Sequence, residues 1–204
     1  MLSVTAGGRP AFAVIQRSKP KNPITTNMST TFRTIRDFLA QHAASITHTV
    51  VAHTRYSTYE RSDLGMQRVV SLAKQDCRHF RNCFNKRLYG RRASRRPLVY
   101  QPLLIATLEG SLITTDRDLT LHYNFAIGNV PVGMTDRDLM SALRASWVEQ
   151  AGQRDDIRMV NVAGDPAKAL GWIGYSLKEA EDRGHTDVWD FENTQIPYTA
   201  LDAG

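Results

Sequence analysis

Cysteine is nearly absent from this chain. The two present, Cys77 and Cys83, lie in a segment that reads as helix. Their spacing fits neither a zinc site nor a disulfide framework, so a reducing cytoplasm is the expected setting. Long apolar runs are also missing. No stretch approaches the roughly 18 residues of a membrane-spanning helix. The opening "MLSVTAGGRPAFAVIQRSKP" has no basic region leading into a proper apolar run, so no secretory signal is expected. No Walker-type glycine loop occurs, so the chain carries no recognisable nucleotide-driven motor. Acidic residues are scarce in one half only. Residues 1–100 hold four Asp or Glu against 18 Lys or Arg, a balance of +14. Residues 101–204 hold 16 against eight, a balance of −8, which leaves the net charge of +6. A chain divided this way often turns its basic part to a polyanion, nucleic acid being the obvious one. A solvated basic helix and tail would give the same count.

What is present suffices for one domain with a sizeable core, or a domain plus an extension: 204 residues, 42% hydrophobic. Residues 1–28 are rich in Gly, Pro, Ser, Thr and Asn and read as a loose arm. In "STTFRTIRDFLAQHAA", Phe32, Ile35, Phe38 and Leu39 recur at helical spacing. "SITHTVVAHTRYS", 45–57, is β-branched and predicts a strand. Residues 62–90 predict a long helix, capped by Ser62 or Asp63 and ended by Gly90. Strands are predicted at 97–110, ending near Glu109, and at 120–130, joined as a hairpin. A helix over 135–150 opens on an approximate capping box, Thr135 with Asp138. A strand over 156–163 follows. The last helix, 165–184, has Asp165 as cap, Pro166 at its first position and Gly184 past its end. From residue 45 the order is β-α-β-β-α-β-α, which predicts an α+β fold: an antiparallel sheet with helices packed on it.

One predicted strand carries an unusual pair. In "LHYNF", side chains alternate between faces. Leu121, Tyr123, Phe125 and Ile127 make one face apolar. His122 and Asn124 share the other face with Ala126 and Gly128. An imidazole nitrogen and an amide oxygen can both ligate a divalent cation. A third, anionic donor would come from Glu109, which the hairpin places alongside. Equally, His122 and Asn124 are what a plain solvated strand face would show. A second pair lies in "GYSLK". Tyr175 and Lys178 stand one turn apart, and Tyr175 points away from the expected core stripe of Leu170, Ile173, Leu177 and Ala180. A tyrosine beside a cation and a metal can attack a phosphate. A surface tyrosine with a lysine favoured by the helix dipole would look the same.

Taken together these elements resemble the HUH endonuclease superfamily, in particular the single-tyrosine rolling-circle replication initiators of bacterial plasmids and phages. The resemblance spans about residues 45–192. "LEG" and "LHYNF" resemble the glutamate turn and metal strand, "GWIGYSLKEA" the nucleophile helix, and "DVWDFEN" the Trp- and acid-containing stretch after it. It implies the ferredoxin-like βαββαβα fold of that superfamily. Residues 1–44 would then be an extension and 193–204 a tail. It implies that Tyr175 attacks a DNA phosphate and keeps the 5′-phosphate, freeing a 3′-hydroxyl, with Lys178 assisting charge or position. It implies Mg²⁺ or Mn²⁺ held by His122, Asn124 and Glu109. The family name describes two histidines; here the second is Asn124, a shorter amide counterpart of the glutamine that some relatives carry there.

A basic run completes the picture. "RHFRNCFNKRLYGRRASRR", 78–96, holds Arg78, Arg81, Lys86, Arg87, Arg91, Arg92, Arg95 and Arg96 and no acid. These suit phosphate contacts, which give affinity and salt dependence rather than sequence reading. Phe80, Phe84 and Leu88 between them follow core spacing. The expected partners are single-stranded or hairpin DNA, a host helicase acting in trans, and no membrane. The alternatives are a non-catalytic nucleic-acid-binding domain of the same fold and a transposase using the same chemistry.

Overall fold

The computed structural model describes residues 30–58, 62–110, 120–178 and 188–197. The fold is α+β: a four-stranded antiparallel sheet with helices packed on it. In chain order the elements are α1 (Thr30–Ala40), β1 (Ile46–Ser57), α2 (Asp63–Tyr89), a short α3 (Arg91–Arg95), β2 (Leu103–Glu109), β3 (Thr120–Gly128), α4 (Asp136–Arg144), β4 (Ile157–Asn161) and α5 (Pro166–Ser176). The sheet order is β2-β3-β1-β4. Among the described residues no helix is long and apolar enough to cross a membrane.

The caps explain the helix starts. Ser62 Oγ accepts from Gly65 N at the head of α2, and Gly90 ends that helix with φ +57, a conformation costly for other residues. Thr135 and Asp138 form a reciprocal capping box before α4. Asp165 Oδ1 accepts from Lys168 N, with Pro166 opening α5. Three boundaries differ from expectation. β2 starts at Leu103, because Pro97 and Pro102 lack the N–H a strand needs and residues between them turn. The helix from Asp136 relaxes into a π-helical stretch over Ala145–Gln150. Regular α5 stops at Ser176, where Gly171, Gly174 and Ser176 are weak helix formers; Gly184, its expected stop, lies outside the described residues.

The sheet has a core on each face. On one, Val50 and Ala52 of β1, Leu104, Ala106 and Leu108 of β2, and Leu121, Tyr123, Phe125 and Ile127 of β3 meet α2 and α4. Phe80, Phe84 and Leu88 are buried here, as their spacing predicts. The Phe80 ring lies 5.2 Å from both Phe125 and Trp147. Each such phenylalanine stabilises the fold by roughly 1.5–3 kcal/mol through burial. On the other face, Ile46, Leu103, Ile105 and Ala126 meet Phe32 and Leu39 of α1 and Ala169 and Ile173 of α5. α5 thus buries Ala169 where the sequence suggested Leu170, which is 47% exposed. Residues 188–197 run along the outer edge of β2, bridging at Thr107–Trp189 and Leu104–Gln195. Tyr123 donates its hydroxyl to Asp190 Oδ2 at 2.7 Å, tying that segment to the sheet.

Candidate active site

The hairpin between β2 and β3 sets the first contact. Glu109, the last residue of β2, is the direct register partner of His122. Directly opposed residues of an antiparallel pair project from the same face. His122 Nε2 accordingly lies 3.2 Å from Glu109 Oε2. The Glu109 side chain is 2% exposed and that of His122 23%. The second carboxylate oxygen, Oε1, is buried with no hydrogen-bond partner among the described residues.

Alternation along β3 then carries Asn124 to the same face, one row deeper, between Thr107 and Val51. This face is not solvated. α1 and α5 cover it, and Asn124 is 1% exposed. Its amide lines a cavity of about 10 Å³ with Leu39, Trp172, Ser176 and Leu177 among the walls. Among the described residues neither Asn124 Oδ1 nor Nδ2 has a hydrogen-bond partner, nor do Ser176 Oγ and Trp172 Nε1. A buried amide left this way costs stability, so it stands as a free donor set rather than a structural tie.

α5 delivers the remaining pair. Tyr175 is 49% exposed, as its angular position predicts. Lys178 follows the end of regular α5 and places Nζ 3.6 Å from the centre of the Tyr175 ring and 3.4 Å from Glu109 Oε2. Burial works against the lysine's charge, but the bond to Tyr175 and the charge of Glu109 outweigh it and raise its pKa. Tyr175, Lys178, Glu109 and His122 therefore form one continuous chain of contacts. Four of the five residues singled out in the sequence touch in sequence, and Asn124 lies behind them.

The donors present fit a hard divalent cation: one buried carboxylate with an unpaired oxygen, one imidazole and one unpaired amide oxygen. Among the described residues no ready group of three or more His, Cys, Asp or Glu side chains stands in place for an ion.

One neighbour escaped the sequence. His53 of β1 is the register partner of His122 on its other side. The two rings are 5.3 Å apart. His53 Nδ1 lies 3.1 Å from Asp156 Oδ2 at the start of β4. Burial lowers the His53 pKa, the Asp156 charge opposing that shift. No sequence spacing signals this pairing, because it depends on the register of two strands far apart in the chain.

The basic run is not brought to this site. α2 packs against the opposite face of the sheet from α5. Arg78 pairs with the Glu192 carboxylate, and Arg81 donates to the Glu192 carbonyl at 2.6 Å. Arg87 approaches Glu149 at 3.9 Å, and Arg92 lies over the Tyr100 ring at 5.7 Å. Lys86, Arg91, Arg95 and Arg96 are exposed along the end of α2, α3 and the residue after it. The basic residues thus form a surface across the sheet from Tyr175.

Set against family models, curated proteins and solved structures, the chain matches none.

Proposed function

We propose that the protein nicks and rejoins single-stranded DNA through a 5′-phosphotyrosine intermediate, as an initiator of rolling-circle replication on an HUH-type ferredoxin-like fold. The observation that carries this reading is the contact chain Tyr175–Lys178–Glu109–His122, in which a half-exposed phenol sits beside a cation bound to a buried carboxylate. A divalent cation held by Glu109, His122 and Asn124 would polarise the phosphoryl oxygens of the strand.

The protein's own residues account for the rest. Tyr175 Oη attacks phosphorus, a Tyr–O–P bond forms, and the P–O3′ bond breaks. The 5′-phosphate stays on Tyr175. The phenol proton is passed by solvent to the departing 3′-oxygen, which leaves as a hydroxyl. One phosphodiester replaces another, so rejoining needs no nucleotide energy source. Lys178 keeps its ammonium charged beside the phenol and offsets charge that develops on the transferring group. The exposed arginines across the sheet would hold flanking DNA by its phosphates. Strand unwinding would fall to a separate helicase.

The test is a denaturing gel of labelled origin or hairpin single strands incubated with Mn²⁺ or Mg²⁺. A nicked strand carrying covalent protein is expected. Tyr175→Phe is expected to abolish the adduct and to keep DNA binding; an adduct that survives this change excludes Tyr175. Burial of Asn124 favours a second reading, a non-catalytic single-strand-binding domain. DNA binding without any adduct from the unaltered protein would establish that reading instead.

A further inference from the structure

We propose that His53 is a direct ligand of the divalent cation, supplying from β1 the second imidazole that β3 lacks. This deepens the metal-dependent reading above and rests on it.

Position is the first argument. Register pairs Glu109 with His122 and His122 with His53, so three donors from three adjacent strands stand in one row. Opposed Cβ atoms of antiparallel strands are about 4.5–5.5 Å apart, within the span that ligands of one ion require. The His53 and His122 rings already lie 5.3 Å apart and 33° from parallel. As placed the described residues hold no ready group of three such donors, so the side chains would have to turn toward one point to bind an ion.

The surroundings of His53 are the second argument. Ligating imidazoles characteristically turn their other ring nitrogen to a carboxylate or carbonyl, which fixes the ring. His53 Nδ1 lies 3.1 Å from Asp156 Oδ2, an ion-pair contact without hydrogen-bond alignment, and His122 Nδ1 lies 3.5 Å from the carbonyl of Thr120. His122 Nε2 faces Glu109 Oε2 at 3.2 Å, the contact that an ion between them would replace. Asp156 occupies the fourth place of the same row, since His53 N donates to its carbonyl next to the Ala52–Ile157 pair.

Access is the third. The His53 side chain is 28% exposed and that of His122 23%, whereas Asn124 is 1% exposed. An ion arriving from solvent meets the two histidines before the buried Glu109 and the amide. A set with two imidazoles leans toward Mn²⁺ over Mg²⁺, because nitrogen donors suit the softer ion.

The experiment uses the full chain and Mn²⁺ alone, with no DNA. Pulsed electron paramagnetic resonance of the bound ion counts the histidine nitrogens coupled to it, and titration gives the affinity. Two nitrogens are expected in the unaltered protein. His53→Ala is expected to lose one and to weaken Mn²⁺ binding by roughly 10–100-fold. One coupled nitrogen in the unaltered protein overturns the proposal, whatever the affinities, and leaves Glu109, His122 and Asn124 as the set. Mn²⁺ binding no tighter than in His122→Ala overturns the metal-dependent reading itself. Thermal melts in chelator establish that each variant folds. If His53→Ala does not fold, the nitrogen count in the unaltered protein still decides.

Discussion

Replacing Asn124 with leucine is expected to make the protein more stable and less active. The amide sits 1% exposed beneath α5, and neither of its polar atoms has a hydrogen-bond partner among the described residues. Its cavity walls include Leu39, Ile105, Ala126, Ile173 and Leu177. An unpartnered buried polar group costs about 1–3 kcal/mol. Leucine has the same branching and removes that cost, while its extra bulk returns up to about 1 kcal/mol through tighter packing. The net gain is about 1–2 kcal/mol. At this chain length each kcal/mol moves Tm by about 2–4 °C, so the melt should rise by about 2–8 °C in chelator. Asn124→Ala, which opens a hole instead, should lower it. Differential scanning calorimetry reads the stability, and the covalent-adduct gel reads function. A lower Tm for Asn124→Leu would refute the claim that the amide is a stability cost. A raised Tm with full adduct formation would refute its role as a ligand.

Two further outcomes follow from the fold. A Cβ at Gly128 would stand 1.9 Å from the carbonyl oxygen and 2.9 Å from the carbonyl carbon of Ser45, backbone atoms that cannot swing aside. Gly128→Ala should therefore cost at least about 2 kcal/mol, read as a lower urea midpoint with an unchanged m-value; a midpoint equal to that of the unaltered protein would show the close approach to be wrong. Asp136, opening α4, is bonded by His48 Nε2 at 3.1 Å and Asn161 Nδ2 at 2.9 Å, and the His48 bond foremost holds its pKa below the usual range. As pH falls the unfolded chain takes up this proton first, so the contribution is present above about pH 4 and is lost below it as the folded carboxyl titrates. Asp136→Asn should flatten the pH dependence of the urea midpoint below about pH 4, and an unchanged slope there would exclude Asp136 as its source.

Local rules made much of this legible. The period of two in "LHYNF" assigned each side chain to its face, and the structure places Leu121, Tyr123, Phe125 and Ile127 in one core and Asn124 on the other side. The hairpin expectation put Glu109 beside His122 because antiparallel pairing links residues close in sequence. Caps at Ser62, Thr135 and Asp165 were visible because each side-chain oxygen accepts from a backbone N–H only three residues on. What stayed hidden depends on contacts between distant segments. α1 and α5 close over the His122 face, which no strand pattern encodes, so Asn124 is buried rather than solvated. Arg78 and Arg81 turn to Glu192, more than 100 positions away, and α2 carries the basic run to the far side of the sheet.

Unpartnered buried polar atoms lie on both faces of the sheet among the described residues, with the larger share beside α5. Glu109 Oε1, both amide atoms of Asn124, Trp172 Nε1 and Ser176 Oγ all lack hydrogen-bond partners, and all border α5 or the row of residues beside it. On the opposite face Tyr123, its one large polar side chain from β3, is paired with Asp190, which Asn193 also supports, while Asp190 Oδ1, Asn193 Oδ1 and Ser146 Oγ have no partner among the described residues. A protein under selection for stability alone would fill the α5 face as it fills the α2 face, with leucine and phenylalanine. What sets the α5 face apart is the kind of group left there: a buried carboxylate oxygen and a buried amide, next to an imidazole already bonded to that carboxylate, the donors that the proposed cation would use. His53 lies in the same row, in register with His122, its Nδ1 3.1 Å from Asp156 Oδ2, so a proposed ion would find its second imidazole on the neighbouring strand.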